Sequence, residues 1–333
     1  MKVLLDGALP FSFAHGGAQL QMQGLQRGLS ANGVEVEWLR WWDPEQTGDI
    51  VHFLGRPHLD YVQQAQSKGI RVVLAELLTA VGSRPPWALA TQRLLIATLR
   101  RSAFFRRMAW ESYRCADACV ALTAWEASLM TDVFGAERAK VHVVPNGVDD
   151  VFFETAPSPR IEWLVCTATI HQRKRVLELA RAAVQAKTPV WIIGKPYAEA
   201  DAYHRAFLEV ARANPQWVRY EGAIDDRRRL AEIYRGARGF VLISTMESQS
   251  LSALEAAASR CPLLLSDLPW ATTTFSKHAT YCPDTSDPAT IARHLRAFWD
   301  ADHSATTPFV PLRWVEVAAK LRALYEALAK TSR

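Results

Sequence analysis

Four short stretches of this 333-residue sequence stand out, three of them with residue types able to handle an anionic ligand. The run Arg173-Lys174-Arg175 places three cations between an apolar, strand-like segment (Trp163–Ala168) and a helical pattern. Cations beside a helix N-terminus suit a pyrophosphate, since guanidinium, ammonium and free amides all favour negative charge. Read in isolation, the same run is equally a solvated charge cluster. Glu247 follows a second strand-like segment, Phe240–Ile243, and Glu255 lies seven intervening residues later on the next helix. From there Glu247 can accept hydrogen bonds from sugar hydroxyls, and Glu255 can reach a ribose. Between them Ser248-Gln249-Ser250-Leu251 brings backbone amides to a helix start, where a phosphate can be held. Glu255 also has a purely structural reading. Ser252-Ala253-Leu254-Glu255 has the form of a capping box with Ser252 as N-cap, and one side chain serves both roles only by moving.

Two further signals are weaker alone. His15-Gly16-Gly17-Ala18 stands between the first strand and the first helix, where paired glycines admit a ligand close to the backbone. Neither the dinucleotide fingerprint nor a Walker loop is present, so by itself this is turn chemistry. Pro145-Asn146-Gly147-Val148-Asp149 is a turn on any reading and names no chemistry.

The elements that must position these residues alternate along the whole chain. Val3–Leu5, Val34–Leu39, Ile50–Leu54, Ile70–Ala75, Ala118–Leu122 and Val141–Val144 read as buried strands; Ala18, Met22, Leu25 and Leu29 mark a helix closed by Asn32-Gly33. Thr155-Ala156-Pro157-Ser158-Pro159 reads as a linker. Beyond it Trp163–Ala168, Val190–Ile193, Val218–Tyr220, Phe240–Ile243 and Leu263–Leu265 alternate with helices, and the chain ends in a helix around Trp314–Leu328. Such alternation predicts parallel sheets covered on both faces. The expected fold class is α/β, with two Rossmann-like doubly wound domains, residues 1–154 and 160–312, facing a central cleft. Ligands of such sheets sit at the carboxyl ends of the strands.

Composition narrows the class. Hydrophobic residues at 49% and charged residues at 22% describe a globular chain, and a net charge of +5 does not by itself argue for nucleic acid. The five cysteines form no Cys-x-x-Cys pair, which predicts reduced thiols and a cytoplasmic protein without a metal site. No stretch approaches the roughly 20 apolar residues of a membrane span. The segment Pro85–Arg114 interleaves Trp87, Leu94, Phe104 and Trp110 with Arg93, Arg100, Arg107 and other arginines. That pattern fits a helix lying on anionic lipid at the cytoplasmic face, and equally a core helix with a charged face.

Taken in order, the motifs resemble the retaining glycosyltransferases of family 4, with the GT-B fold. The likeness covers nearly the whole chain. It rests on Gly16-Gly17-Ala18-Gln19, Pro145–Asp149, Tyr220-Glu221-Gly222, Leu230–Tyr234, the Glu247-x7-Glu255 pair, Ser266-Asp267-Leu268-Pro269 and Trp314. The resemblance implies a retaining, metal-independent hexosyltransferase that needs no cofactor. A nucleotide diphosphate sugar is its co-substrate, and cell-surface glycan or polysaccharide synthesis its setting. Its first domain would face the acceptor and its second the donor, with the helix at 313–330 crossing back onto the first. Gly16 and Gly17 would bring amides to the donor phosphates, and Lys174, with Arg173 beside it, would hold the phosphates. Glu247 would hold the sugar, Ser250 and Leu251 would offer amides to the distal phosphate, and Glu255 would bind ribose. Glu247 and Lys174 are the residues expected to carry catalysis. The acceptor is left open, lipid-linked or oligosaccharide, and no nucleic acid is expected.

Three positions depart from the family pattern. Thr169 stands where an arginine is usual, which leaves Arg173 or Arg175 to supply the charge. Ser250 replaces a glycine, and Glu76-Leu77-Leu78 replaces the usual histidine after the strand Ile70–Ala75, with His15 and His52 as nearby candidates. The competing reading is a catalytically silent nucleotide-sugar-binding or scaffold protein of the same fold.

Overall fold

Runs rich in Val, Ile and Leu can satisfy their backbone only by pairing, and a run that is apolar throughout needs cover on both faces. In the computed structural model these runs form two six-stranded sheets in which every pair given is parallel. The structure describes residues 1–8, 11, 16–99, 102, 109–304 and 307–330. The chain divides into two units, Met1–Gly147 with Leu312–Arg333, and Val148–Pro311.

The first unit holds β1 (Lys2–Gly7), β2 (Glu35–Trp38), β3 (Ile50–Leu54), β4 (Arg71–Ala75), β5 (Ala118–Ala121) and β6 (Val141–Val143), ordered β2-β1-β3-β4-β5-β6. Its main helices are α1 (Gly17–Ala31), α2 (Leu59–Ser67), α3 (Pro86–Leu99) and α4 (Ala124–Asp132). The two-residue strands β7 (Gly147–Val148) and β14 (Leu312–Arg313) pair with each other.

The second unit holds β8 (Ile161–Thr167), β9 (Val190–Ile193), β10 (Val218–Tyr220), β11 (Ala237–Leu242), β12 (Leu263–Ser266) and β13 (Thr280–Cys282), ordered β10-β9-β8-β11-β12-β13. Between them run α5 (Val176–Ala186), α6 (Ala202–Ala213), α7 (Arg227–Gly236), α8 (Leu251–Ala258), α9 (Pro269–Phe275) and α10 (Pro288–Asp300). Both sheets are doubly wound, and the chain reverses its direction of travel between β1 and β3 and again between β8 and β11. Adjacent loops part at these two points and open a crevice.

The division falls at Gly147/Val148 rather than at the proline-rich stretch Thr155–Pro159. Val148 and Phe152 are buried in the core of the second unit, with Phe152 packed 6.0 Å from the Tyr234 ring, so residues before the prolines already belong there. Strand β13 has no apolar run, only Thr-Tyr-Cys at a sheet edge, and the periodicity of the sequence does not reveal it. All five cysteines are free thiols, and burial pushes Cys119 and Cys166 up to about 12.

The last helix, α11 (Trp314–Lys330), lies on α1 within the first unit. Gly24 and Gly28 stand one turn apart on α1, and a Cβ at Gly24 would overlap the Trp314 indole. At Gly28 the Cβ would meet the backbone carbonyl of Trp314, which cannot swing aside. Asn32 donates to the carbonyl of Val315 (3.0 Å), Arg322 to that of Asn32 (2.7 Å), and the hydroxyl of Tyr325 meets His52 Nδ1 at 2.8 Å. Gly28→Val should therefore destabilise the protein by about 1–3 kcal/mol through overpacking. Urea unfolding should show a lower midpoint at unchanged slope.

Candidate functional site

Past β8 the chain tightens into a 3-10 turn at Gln172–Lys174, started by His171, whose Nδ1 accepts the amide of Arg173 at 3.2 Å. Arg175 then takes a left-handed φ of 50°, costing about 1–2 kcal/mol, and turns the chain into α5. Past β11 the chain runs through Ile243–Ser250 into α8. The amide of Thr245 donates to the carbonyl of Arg173 at 2.9 Å, so the two loops are stitched together where β8 and β11 diverge. Ser244, wholly buried, donates to Glu247 Oε1 at 2.6 Å and is itself held by Ser266 (2.7 Å to its carbonyl).

This stitching brings Arg173, Lys174 and Glu247 together. Lys174 Nζ pairs with Glu247 Oε1, and Arg173 Nη1 lies 3.4 Å from Oε2 while donating to the carbonyl of Met246 at 2.9 Å. Only 9% of Glu247 is exposed. Burial opposes its ionisation, but Lys174 and Arg173 outweigh burial and hold the carboxyl below its ordinary value. Two cations facing one anion leave a surplus of positive charge at the carboxyl end of the sheet. Of the two arginines weighed as a substitute for Thr169, Arg173 enters the cluster; Arg175 instead pairs with Asp284 at 2.6 Å.

Ser250 is the N-cap of α8, its hydroxyl accepting the amide of Ala253 at 3.4 Å. Its φ of −70° is ordinary, so a serine needs no glycine-like freedom there. Helix geometry leaves the amides of the first turn, Leu251 among them, without intrahelical acceptors. The capping box with Ser252 as N-cap does not form. The helix starts at Leu251, which puts Glu255 two residues beyond the position from which a side chain can return to the cap. Glu255, 4% exposed, instead accepts from Arg227 at 2.6 Å, a charge-assisted bond stronger than one to an amide.

Gly16 and Gly17 belong to the first unit, at the start of α1 after β1. Gly16 has a φ of 134°, a conformation open essentially to glycine, and serves as the N-cap. His15 lies outside the described residues. His52 is a satisfied core residue bonded to Tyr325, and burial lowers its pKa to about 4, leaving it neutral at pH 7.

The end of β4 carries a group whose setting the sequence did not disclose. Glu76 is largely buried, accepts the hydroxyl of Tyr113, and lies 3.6 Å from Arg56; burial raises its carboxyl pKa. Its loop is pinned by buried Glu126, which accepts the amides of Leu78 and Leu122 at 3.0 Å each. Ser244 and Arg227 were also missed. The only signal for Arg227 was its place in Arg227-Arg228-Arg229, which reads as solvated charge.

Residues 162–300 match the family described as Glycosyl transferases group 1, and residues 49–152 match Glycosyltransferase Family 4. No curated protein matches the chain in sequence. Among solved structures it is similar to a sucrose-phosphate synthase from Thermosynechococcus elongatus (TM-score 0.69, 16% identity, 100% of both chains covered). A glycosyltransferase from Rickettsia africae is also similar (0.64, 10%, 99% of both chains). So is Anabaena HepE, in complex with UDP and glucose (0.64, 12%, 98% of this chain and 100% of that one). The fold is that of the GT-B glycosyltransferases. Matches lie on either side of the Gly147/Val148 division and together span most of both sheets, so the chain belongs to the group 1, family 4 glycosyltransferases.

Proposed function

We propose that the protein transfers a hexose from a nucleotide diphosphate sugar to an acceptor hydroxyl, with retention and without a metal ion. The observation that carries this reading is the Arg173–Lys174–Glu247 cluster where β8 and β11 diverge, with the first turn of α8 on the same loop. The bond between the anomeric carbon and the phosphate oxygen breaks, and the acceptor oxygen bonds to that carbon on the same face. The leaving diphosphate takes the acceptor proton. Lys174 and Arg173 offset the charge growing on that diphosphate, as do the amides at Ser250 and Leu251. Glu247 accepts from the sugar hydroxyls and Glu255 from the ribose. The complex of Anabaena HepE with UDP and glucose supports a uridine nucleotide as the first candidate.

Incubation with a panel of nucleotide sugars, following released nucleotide with and without EDTA, tests the proposal. Release that survives the chelator, with a product of unchanged anomeric configuration, is the expected result. Binding without release would favour the silent, nucleotide-sugar-binding reading.

We also place the protein in the cytoplasm, in cell-surface glycan synthesis, in peripheral contact with the membrane and acting on a lipid-linked or oligosaccharide acceptor. Helix α3 supports the membrane contact, because it exposes Trp87 (72%) and Leu94 (65%) beside Arg93 while burying Leu89 and Ile96. Phe104, Phe105, Arg100 and Arg107 lie outside the described residues, and no helix among the described residues is long and apolar enough to cross a membrane. The wild-type protein should sediment with vesicles of phosphatidylglycerol at low salt, and Trp87→Ser with Leu94→Ser should lose most of that binding. Equal sedimentation of both proteins would remove the role of α3.

A further inference from the structure

We propose that Arg227 is a positioning residue of the donor site: it holds Glu255 ionised and aimed for the nucleotide ribose, and ties it to Asp149 of the Pro145–Asp149 turn. The inference rests on the donor-site reading above. Arg227 is the first residue of α7, where the N-cap Asp226 accepts the amides of Arg228 (2.9 Å) and Arg229 (3.2 Å). That cap fixes the start of the helix and the direction in which Arg227 leaves it.

Its guanidinium lies over the Phe152 ring, 4.6 Å from the centroid, and this face contact fixes its plane. Nη2 then reaches Glu255 Oε1 at 2.6 Å and Asp149 Oδ2 at 3.1 Å, with Nε 3.3 Å from the same Asp149 oxygen. Its neighbour Arg228 turns outward to Glu154. Arg227 is the half-buried arginine of the run, and Arg228 and Arg229 are exposed.

The chemistry of Glu255 explains the need. Burial favours its protonated form and raises its pKa, and Arg227 offsets part of that rise. A protonated carboxyl loses acceptor capacity, whereas a ribose diol needs two accepting positions. Arg227 engages Oε1, and the other oxygen has no hydrogen-bond donor among the described residues. The titratable and charged groups that face Glu255 are Arg227 and Tyr234 from α7 and Asp149 from the turn.

Calorimetric titration with UDP, GDP, ADP and dTDP supplies the test, using whichever the wild-type protein binds most tightly. Arg227→Met should weaken binding about tenfold at pH 7, the loss of one charged hydrogen-bond partner. Without the cation the Glu255 pKa rises further, so affinity in this variant should climb with pH across a range where the wild type stays level. Arg227→Lys should restore most of the affinity. The double variant Glu255→Gln with Arg227→Met leaves no unpaired charge at Glu255 and should bind as Glu255→Gln alone does. This comparison and Arg227→Lys carry the test if Arg227→Met fails to fold. Wild-type affinity with a level pH profile in Arg227→Met, or losses that multiply in the double variant, would overturn the inference while leaving the donor site standing. Absence of binding by all four nucleotides to the wild type, or unchanged binding in Glu255→Gln, would overturn both.

Discussion

Replacing Lys174 by alanine should lower kcat by roughly two to three orders of magnitude, about 3–4 kcal/mol of transition-state stabilisation. The ammonium sits against Glu247 at the point where β8 and β11 part, where the proposed reaction builds charge on the leaving phosphate. Charge that grows during the reaction meets a cation already in place, so the effect belongs in kcat more than in KM. Arg173→Ala should lose less, because its guanidinium stands farther from Glu247 and is shared with the carbonyl of Met246. The double variant should be worse than either single one, with Arg173 supplying the charge that Thr169 does not. Nucleotide release from the donor sugar measures all three. Near-normal turnover of Lys174→Ala would remove the phosphate-clamp assignment.

Glu247→Gln should cost about 100-fold in rate while leaving the affinity for free nucleotide diphosphate nearly unchanged. The carboxylate is fixed by Ser244, Lys174 and Arg173, so a small change at this residue displaces whatever sugar it holds from the attack line. Glu255→Gln should behave in the opposite way. It removes a contact shared by ground state and transition state, raising KM several-fold with kcat little changed. Calorimetry with the nucleotide alone separates the two variants without knowledge of the acceptor. Equal losses of nucleotide affinity in both would end the division of roles.

How much of this was legible in the chain itself depended on the distance over which each fact is decided. Ile50–Leu54 and Val190–Ile193 read as strands because their apolar runs are local, and both emerge with those limits. Lys174 and Glu247 were legible as chemistry because each follows a strand and precedes a helix. Their direct pairing was not, since it depends on how two loops 73 residues apart are stitched. Arg227 was hidden for a similar reason. Three consecutive arginines look alike in sequence, and only the packing of Phe152 and the positions of Asp149 and Glu255, 78 and 28 residues away, select the inward one. The capping box failed on phase. A four-residue pattern fits at several offsets, and the helix took the start that Ser250 caps.

The glycine-lined face of α1 bears on how the protein comes into being. Its partner, α11, belongs to the same unit yet follows the whole of Val148–Pro311 in the chain. During synthesis at roughly 5–20 residues per second, the second unit emerges in one piece while the first still waits for Trp314, an interval of roughly 8 to 33 seconds. The later-made half can thus complete its core before the earlier-made half. Throughout that interval Gly24 and Gly28 have no indole above them, and Leu25 beside them is open to whatever the ribosome exit and its chaperones present.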